Sequence, residues 1–241
     1  MIPAYVGYDE REDEAYRVCA SSLREQASVP VQITRIGATG ARQAGLFDRP
    51  VYYEDSQPID GSDGKPFSTD FAFARFLIPA LMLYQGWALF CDCDFLFLAD
   101  IAKLWSLRDE RYAVMVVKHQ YMPAESVKMD GMAQGVYARK NWSSLVLWNC
   151  EHPANTRLSA FEVNRRTGSW LHGFQWLDDE QIGELPLSWN WLSGVSPSLG
   201  KRPDAVHFTL GGPWFENHRH HPYSHLWLEH ARRLQPSTIA A

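Results

Sequence analysis

Between Trp87 and Leu98 the chain reads WALFCDCDFLFL, a run whose only charges are two aspartates, Asp92 and Asp94, placed two residues apart. A segment this apolar and this short reads as a buried strand. Charges inside such a strand are costly unless something compensates them. Side chains at i and i+2 of an extended segment share a face, so Asp92 and Asp94 can turn toward one ligand. A divalent cation held by one or two carboxylates and completed by substrate phosphates meets that description. The plainer alternative is a strand end with two solvated aspartates.

Around this strand the hydrophobic periodicity alternates between strand and helix. Strands are expected at 2–8, 31–36, 87–98, 112–118 and 143–148, and helices at 12–26, 156–166 and 221–234. Residues 59–66, rich in Gly, Asp and Pro, read as a loop. Residues 67–84 are apolar nearly all round and predict a buried helix capped by Ser68 and kinked or ended at Pro79. The alternation argues for an α/β domain with a mainly parallel central sheet flanked by helices. A chain of 241 residues fits one such domain over 1–234, followed by a frayed tail at 235–241. Ligands of these sheets bind at the carboxyl ends of strands, where Tyr8-Asp9, Asp92/Asp94 and Lys118-His119 all fall.

The remaining composition narrows the function. A net charge of −5 gives no basic surplus for nucleic acid. The four cysteines (Cys19, Cys91, Cys93 and Cys150) sit in apolar surroundings without a zinc-type spacing, which favours reduced structural thiols and a reducing compartment. The chain opens without a basic, then apolar, leader, and no stretch reaches the ~18 apolar residues of a membrane span. A cytoplasmic protein without a transmembrane segment is expected, compatible with a peripheral seat at a membrane.

Two further clusters stand out. Arg75 lies in an apolar segment with few other charges, where it either pairs with Asp70 or points at a phosphate or the aspartates. His207 precedes a glycine pair, Gly211 and Gly212, in HFTLGGPW. Glycines let backbone N–H groups approach an anion, and imidazole beside carboxylates suits Mn²⁺ better than Mg²⁺. The histidine-rich stretch at 218–221 lacks a closed-site metal spacing.

Taken in order, these segments resemble glycosyltransferase family 8, whose nucleotide-sugar-binding fold is called GT-A. The likeness covers most of the chain. It runs from Gly7-Tyr8-Asp9, through Arg75 of the Ser…Tyr-x-Arg segment and the D-x-D at Asp92-Cys93-Asp94, to the Asn-Ser-Gly-like stretch at 142–149. It continues through Asp178-Asp179-Glu180 in the place of Asp-Gln-Asp, a Leu-Pro-x-x-Trp-Asn element at 185–190, and His207…Gly211-Gly212-Pro213-Trp214. The resemblance implies transfer of a hexosyl group from a nucleotide sugar, with UDP the usual nucleotide, to an acceptor such as a glycan, lipid-linked sugar or protein, with retention of configuration. It implies Mn²⁺ or Mg²⁺ on Asp92, Asp94 and His207. It also implies nucleotide contacts from Tyr8, Asp9, Arg11, Arg75, Asp92, Cys93, Lys118, Gly211 and Gly212. Asp179 is the expected group near the reacting carbon, and Asp178 a sugar-hydroxyl ligand.

The departures are specific. Trp142 and Ser144 replace the expected Asn and Gly, Asp179 replaces Gln, and Gly212 stands where Lys precedes Pro-Trp, leaving Lys118, Lys128 or Arg139 to supply a phosphate cation. Lys118-His119 and Lys128-Met129-Asp130-Gly131 are candidates for a substrate wall. A nucleotidyltransferase and a non-catalytic nucleotide- or carbohydrate-binding module are the competing classes. The acidic turn after the first strand, Asp9-Glu10-Arg11-Glu12, disfavours the first, which usually carries a basic, Gly-rich loop there.

Overall fold

A computed structural model describes residues 1–120 and 139–235; the stretch holding Lys128, Met129, Asp130 and Gly131, and most of the expected tail, lie outside the described residues. The central sheet has six strands in the order β2-β1-β5-β8-β7-β9. These are β1 (Ile2–Gly7), β2 (Val31–Ile36), β5 (Trp87–Cys91), β7 (Val114–Val116), β8 (Leu145–Asn149) and β9 (Ile182–Glu184). β1 runs parallel to β2 and β5, and β7 parallel to β9, whereas β8 is antiparallel to both neighbours. The mainly parallel α/β expectation therefore holds, and every residue of β5, β7 and β8 is buried, as strands covered on both faces require.

The expected strand at 87–98 divides. After β5 the chain turns through Asp92–Asp94, and β6 (Phe95–Phe97) joins a second sheet, β10-β11-β6, with β10 (Trp191–Leu192) and β11 (Ala205–His207). Trp191, Val206, Phe208 and Trp227 of this region pack into a smaller core against α1 (Asp13–Glu25) and α7 (Ser224–Leu234). Asp100 closes the motif after β6 by accepting the Ala102 N–H at 3.0 Å, which caps α4 (Ile101–Trp105).

The long helix expected at 67–84 does not form. Only a 3₁₀ turn at Ala74–Leu77 and the short α3 (Ile78–Leu81) are helical, and Pro79 stands in the first turn of α3, where its missing N–H is not needed. Ser68 does not cap it. Tertiary bonds hold the preceding residues in an irregular segment that ends in a turn: the Asp70 N–H donates to Asp9 Oδ2 at 3.0 Å, while the Asp70 carbonyl accepts from Ala38 and its carboxylate from Thr39. The close seat of Phe71 on β1 needs Gly7, because a Cβ there would stand 2.5 Å from the Phe71 ring. The helix expected at 156–166 is likewise shorter, with a 3₁₀ turn at Pro153–Arg157 followed by α5 (Ala160–Arg165).

Residues 59–66, read as loop, begin within a hairpin of β3 (Val51–Glu54) and β4 (Gln57–Asp60). Its end is anchored by Arg49, whose side chain is fully buried. Arg49 grips both oxygens of Asp60, donates to the Val163 and Arg166 carbonyls, and lies 4.0 Å above the Phe73 ring. Breaking a buried pair of this kind costs about 3–5 kcal/mol, so the loop after β4 is firmly seated beside the site. No helix of the described residues is long and apolar enough to cross a membrane.

Candidate active site

β1 and β5 lie side by side with Val6 opposite Cys91, so their carboxyl ends open at one edge of the sheet. From that edge the chain turns through the D-x-D segment. Cys91 and Cys93 face the core with no exposure, while the Asp92 and Asp94 side chains, 16% and 14% exposed, face a cavity of about 130 Å³. The Cys93 thiol donates to Glu12 at 3.3 Å, and burial pushes its pKa well up. Cys93 is thus a core residue beneath the site, and the cysteines are free thiols as expected.

β11 supplies the third member. It pairs antiparallel with β6, His207 opposite Phe95, and the two rings stack at 4.5 Å. Ligand atoms of Asp92, Asp94 and His207 then fall within 4.8 Å of one another, the only such group of three or more found among the described residues. Asn190 fixes the imidazole. Its Nδ2 donates to the Asn141 carbonyl and to Ser144 Oγ, which leaves Oδ1 to accept from His207 Nδ1 at 2.9 Å. Nε2 then faces Asp94 Oδ2 at 3.3 Å. Carboxylate oxygens and an imidazole nitrogen gathered at one point suit a divalent metal such as Mn²⁺. His119 packs beside this group. Burial, then His207, push its pKa down to about 4 against the hydrogen bond that the ring donates to Asn190, so it is neutral at pH 7.

Arg75 resolves in favour of the aspartates. Only 5% exposed, it pairs with Asp92 Oδ1 at 2.6 Å and donates to the carbonyls of Ser143 and Phe71; Asp70 is engaged elsewhere. The cavity wall also carries Lys140, Asn141, Ser143, Ser144, His172 and Thr209, with Asp60, Asp63, Lys65, Ser68 and Thr69 from the loop after β4. Ser143 Oγ and His172 Nδ1 are 2.8 Å apart. The lining carboxylates (Glu12, Asp60, Asp63, Asp92, Asp94) outnumber the lining cations (Lys65, Arg75, Lys140), a balance that favours a bound cation.

Other expected residues lie elsewhere. Asp9 is buried and accepts from Arg11 and from the Arg11 and Asp70 amides. Burial works to raise its pKa, but those bonds prevail and hold it below the usual value. Tyr8 donates to Asp13 and packs edge-on against Tyr16. Tyr8, Asp9 and Arg11 therefore form a cluster at the end of β1, and Glu12 from the same turn reaches the cavity. Lys118 lies over the Trp142 ring, 5.7 Å from its centroid, and off the cavity wall. The Gly211 N–H is taken by the Phe208 carbonyl, and neither glycine lines the cavity. Asp178 and Asp179 face solvent: Gln181 accepts the Asp178 N–H, and the Asp179 carboxylate, 79% exposed, pairs with Arg139.

Lys140, Asn141, Asn190 and Glu12 carried no assigned role in the sequence. Asn141 had a signal: it stands one position before Trp142, where the family pattern has Asn, and its left-handed backbone (φ 65°) brings it to the wall while Trp142 turns to donate to the His119 carbonyl. Glu12 had none.

No protein-family model matches the chain. Protein CDI of Arabidopsis thaliana is 50% identical over 228 residues, spanning 93% of this chain and 83% of that protein. The chain belongs to the family of Protein CDI. That name states no activity, so chemistry is sought in the fold. The galactosyltransferase LgtC, solved with donor and acceptor sugar analogs, superposes with a TM-score of 0.63 at 13% identity, covering 99% of this chain and 98% of LgtC. The glycosyltransferase GlyE of Streptococcus pneumoniae TIGR4 gives 0.60 at 14% identity over 98% of this chain and 62% of GlyE. The bifunctional WbbM gives 0.59 at 15% identity over 95% of this chain and 51% of WbbM, so the chain spans about half of that protein. This CDI-family chain therefore has the GT-A glycosyltransferase fold.

Proposed function

We propose that the chain is a metal-dependent glycosyltransferase that moves a hexosyl group from a nucleotide sugar, with UDP the expected nucleotide, to an acceptor hydroxyl with retention of configuration. The observation that carries this reading is the convergence of Asp92, Asp94 and His207 on one point of a cavity wall, at the strand ends of a GT-A fold. Mn²⁺ held there would neutralise charge on a diphosphate. The chain's own residues do the rest. Asn190 holds the imidazole so that Nε2 faces the aspartates, and Arg75 pairs with Asp92 and orients it. Asn141, Ser143 and His172 offer hydrogen-bonding groups for sugar hydroxyls. Asp178 and Asp179 face solvent in the ligand-free chain and receive no chemical step in this reading.

The test is release of UDP from a panel of UDP-hexoses with Mn²⁺ or with chelator, the anomeric configuration of the product being read by NMR. Asp94→Ala is expected to weaken Mn²⁺-linked UDP binding by about 100-fold or more, the loss typical of a removed charged ligand, while remaining folded in chelator. Unchanged UDP affinity and Mn²⁺ dependence in Asp94→Ala would refute the site. Metal-linked binding without turnover on any donor would make the chain a binding module instead.

A further inference from the structure

Among the described residues, the large exposed aromatic side chains are Tyr52, Tyr53 and Phe161. Phe161 lies beneath the Arg165 guanidinium, 4.3 Å from its ring centroid, which leaves the two tyrosines of β3. Neighbours on a strand point to opposite faces, so only one of them can look toward the cavity. The pairing decides which. Tyr52 stands opposite Ile59 of β4, and Ile59 pairs in turn with Pro66, a residue of the cavity wall. Residues opposite one another across strands share a face, so Tyr52, Ile59 and Pro66 form one row from the exposed edge to the cavity wall. Tyr53, opposite Pro58, belongs to the reverse face.

The row is stiff. β3 and β4 are joined by the two-residue turn Asp55-Ser56, both left-handed (φ 47° and 68°), the backbone that matches the twist of paired strands. At the other end of the hairpin Arg49 grips Asp60, and Gln57 Nε2 donates to the Phe67 carbonyl at 2.7 Å. Ile59 is buried, while Tyr52 keeps 46% exposure. The Tyr52 hydroxyl lies 3.8 Å from where a Cβ on Gly64 would stand, and Gly64, at φ 68°, carries no side chain to cover the ring. Asp63 and Lys65, on either side of Gly64, line the cavity. Asp63 is fixed by accepting the N–H groups of Lys65 and Gly168 at 3.0 and 3.3 Å.

A rigid amphipathic ring beside a carboxylate and an ammonium suits a sugar. A hexose offers an apolar face of C–H groups to the ring and a rim of hydroxyls to the charges. We propose that Tyr52 is the platform on which the acceptor, a neutral glycan chain, lays one sugar residue while the hydroxyl to be glycosylated enters the cavity. This names the acceptor class and rests on the reading under Proposed function. In that transfer the bond from the anomeric carbon to the phosphate oxygen breaks and the oxygen keeps the electron pair. The acceptor oxygen forms the new bond to the carbon, and its proton passes to the departing diphosphate. Tyr52 touches none of these atoms and acts on acceptor affinity alone.

The test titrates the full chain in chelator with neutral tetrasaccharides of glucose, mannose and galactose, read by saturation-transfer NMR. UDP with Mn²⁺ is titrated by calorimetry on the same proteins. At least one tetrasaccharide is expected to bind wild type at about 10 mM or below. Tyr52→Ala should weaken that binding by about 5- to 50-fold, the range for losing one stacked aromatic face. Tyr52→Phe should hold it within about threefold, and Tyr53→Ala, which removes the more exposed ring from the reverse face, within about twofold. UDP affinity should stay within about twofold in all three variants. No binding across the panel, equal losses in Tyr52→Ala and Tyr53→Ala, or a Tyr52→Ala that weakens UDP would each overturn the assignment. Equal losses would mark a nonspecific apolar patch, and weakened UDP a nucleoside contact. A wild type that binds UDP with Mn²⁺ but no tetrasaccharide fails this inference alone; one that binds no UDP fails the parent reading, and the acceptor role with it.

Discussion

Removing Arg75 should uncover how the site is balanced before any substrate arrives. In Arg75→Met the apolar stem is retained, but Asp92 loses its 2.6 Å partner and the Ser143 and Phe71 carbonyls lose a donor. Stripping one partner from a buried ion pair costs about 3–5 kcal/mol; Asp92 keeps 16% exposure, so the lower end, about 3 kcal/mol, is the expectation. At about 2–4 °C per kcal/mol for a chain of this size, the melting temperature in chelator should fall by roughly 6–12 °C. Mn²⁺ should then restore more stability to Arg75→Met than to wild type, because it meets an Asp92 no longer neutralised by a guanidinium and binds only the folded state. Arg75→Lys keeps the charge and loses the fork, so its fall should be smaller. Melting followed by far-UV circular dichroism, with chelator and with Mn²⁺, reads all three. An Arg75→Met that melts within about 2 °C of wild type in chelator, or a Mn²⁺ shift equal in both proteins, would refute the coupling of Arg75 to the metal-binding aspartates.

Two further outcomes follow from the same geometry. Asn190→Ala releases the His207 ring from its fixed tautomer, and Mn²⁺ affinity measured by calorimetry should drop about 10- to 100-fold, as for other orienting partners of ligand histidines; unchanged affinity would show that the Phe95 stack alone holds the ring. Asp179→Asn should leave kcat within about threefold, because its carboxylate is solvent-facing and its pair with Arg139 is of the weak surface kind; a loss of tenfold or more, on the order of 1.4 kcal/mol, would place Asp179 at the reacting carbon instead.

What the sequence determined by itself was local. The i, i+2 spacing offered Asp92 and Asp94 to one ligand, and the turn that follows β5 keeps them together on the cavity side with Cys91 and Cys93 in the core. The apolar runs declared the buried strands. Residue context and family order together offered His207 and Arg75 as expectations, but only the tertiary structure decided their partners. His207 reaches the aspartates because β11 pairs with β6 in one register, and Arg75 chose Asp92 because Asp70 was already engaged by the turn after β2. The same long-range bonds kept residues 67–73 from the helix that their composition favours, since tertiary contacts override intrinsic propensity. Lys140 and Asn141 gained the wall, and Asp178 and Asp179 lost it, through backbone turns and packing that no residue-type pattern encodes. Periodicity decides which side chains share a face. Which faces meet is decided by the packing of the whole core, and the site lies where they meet.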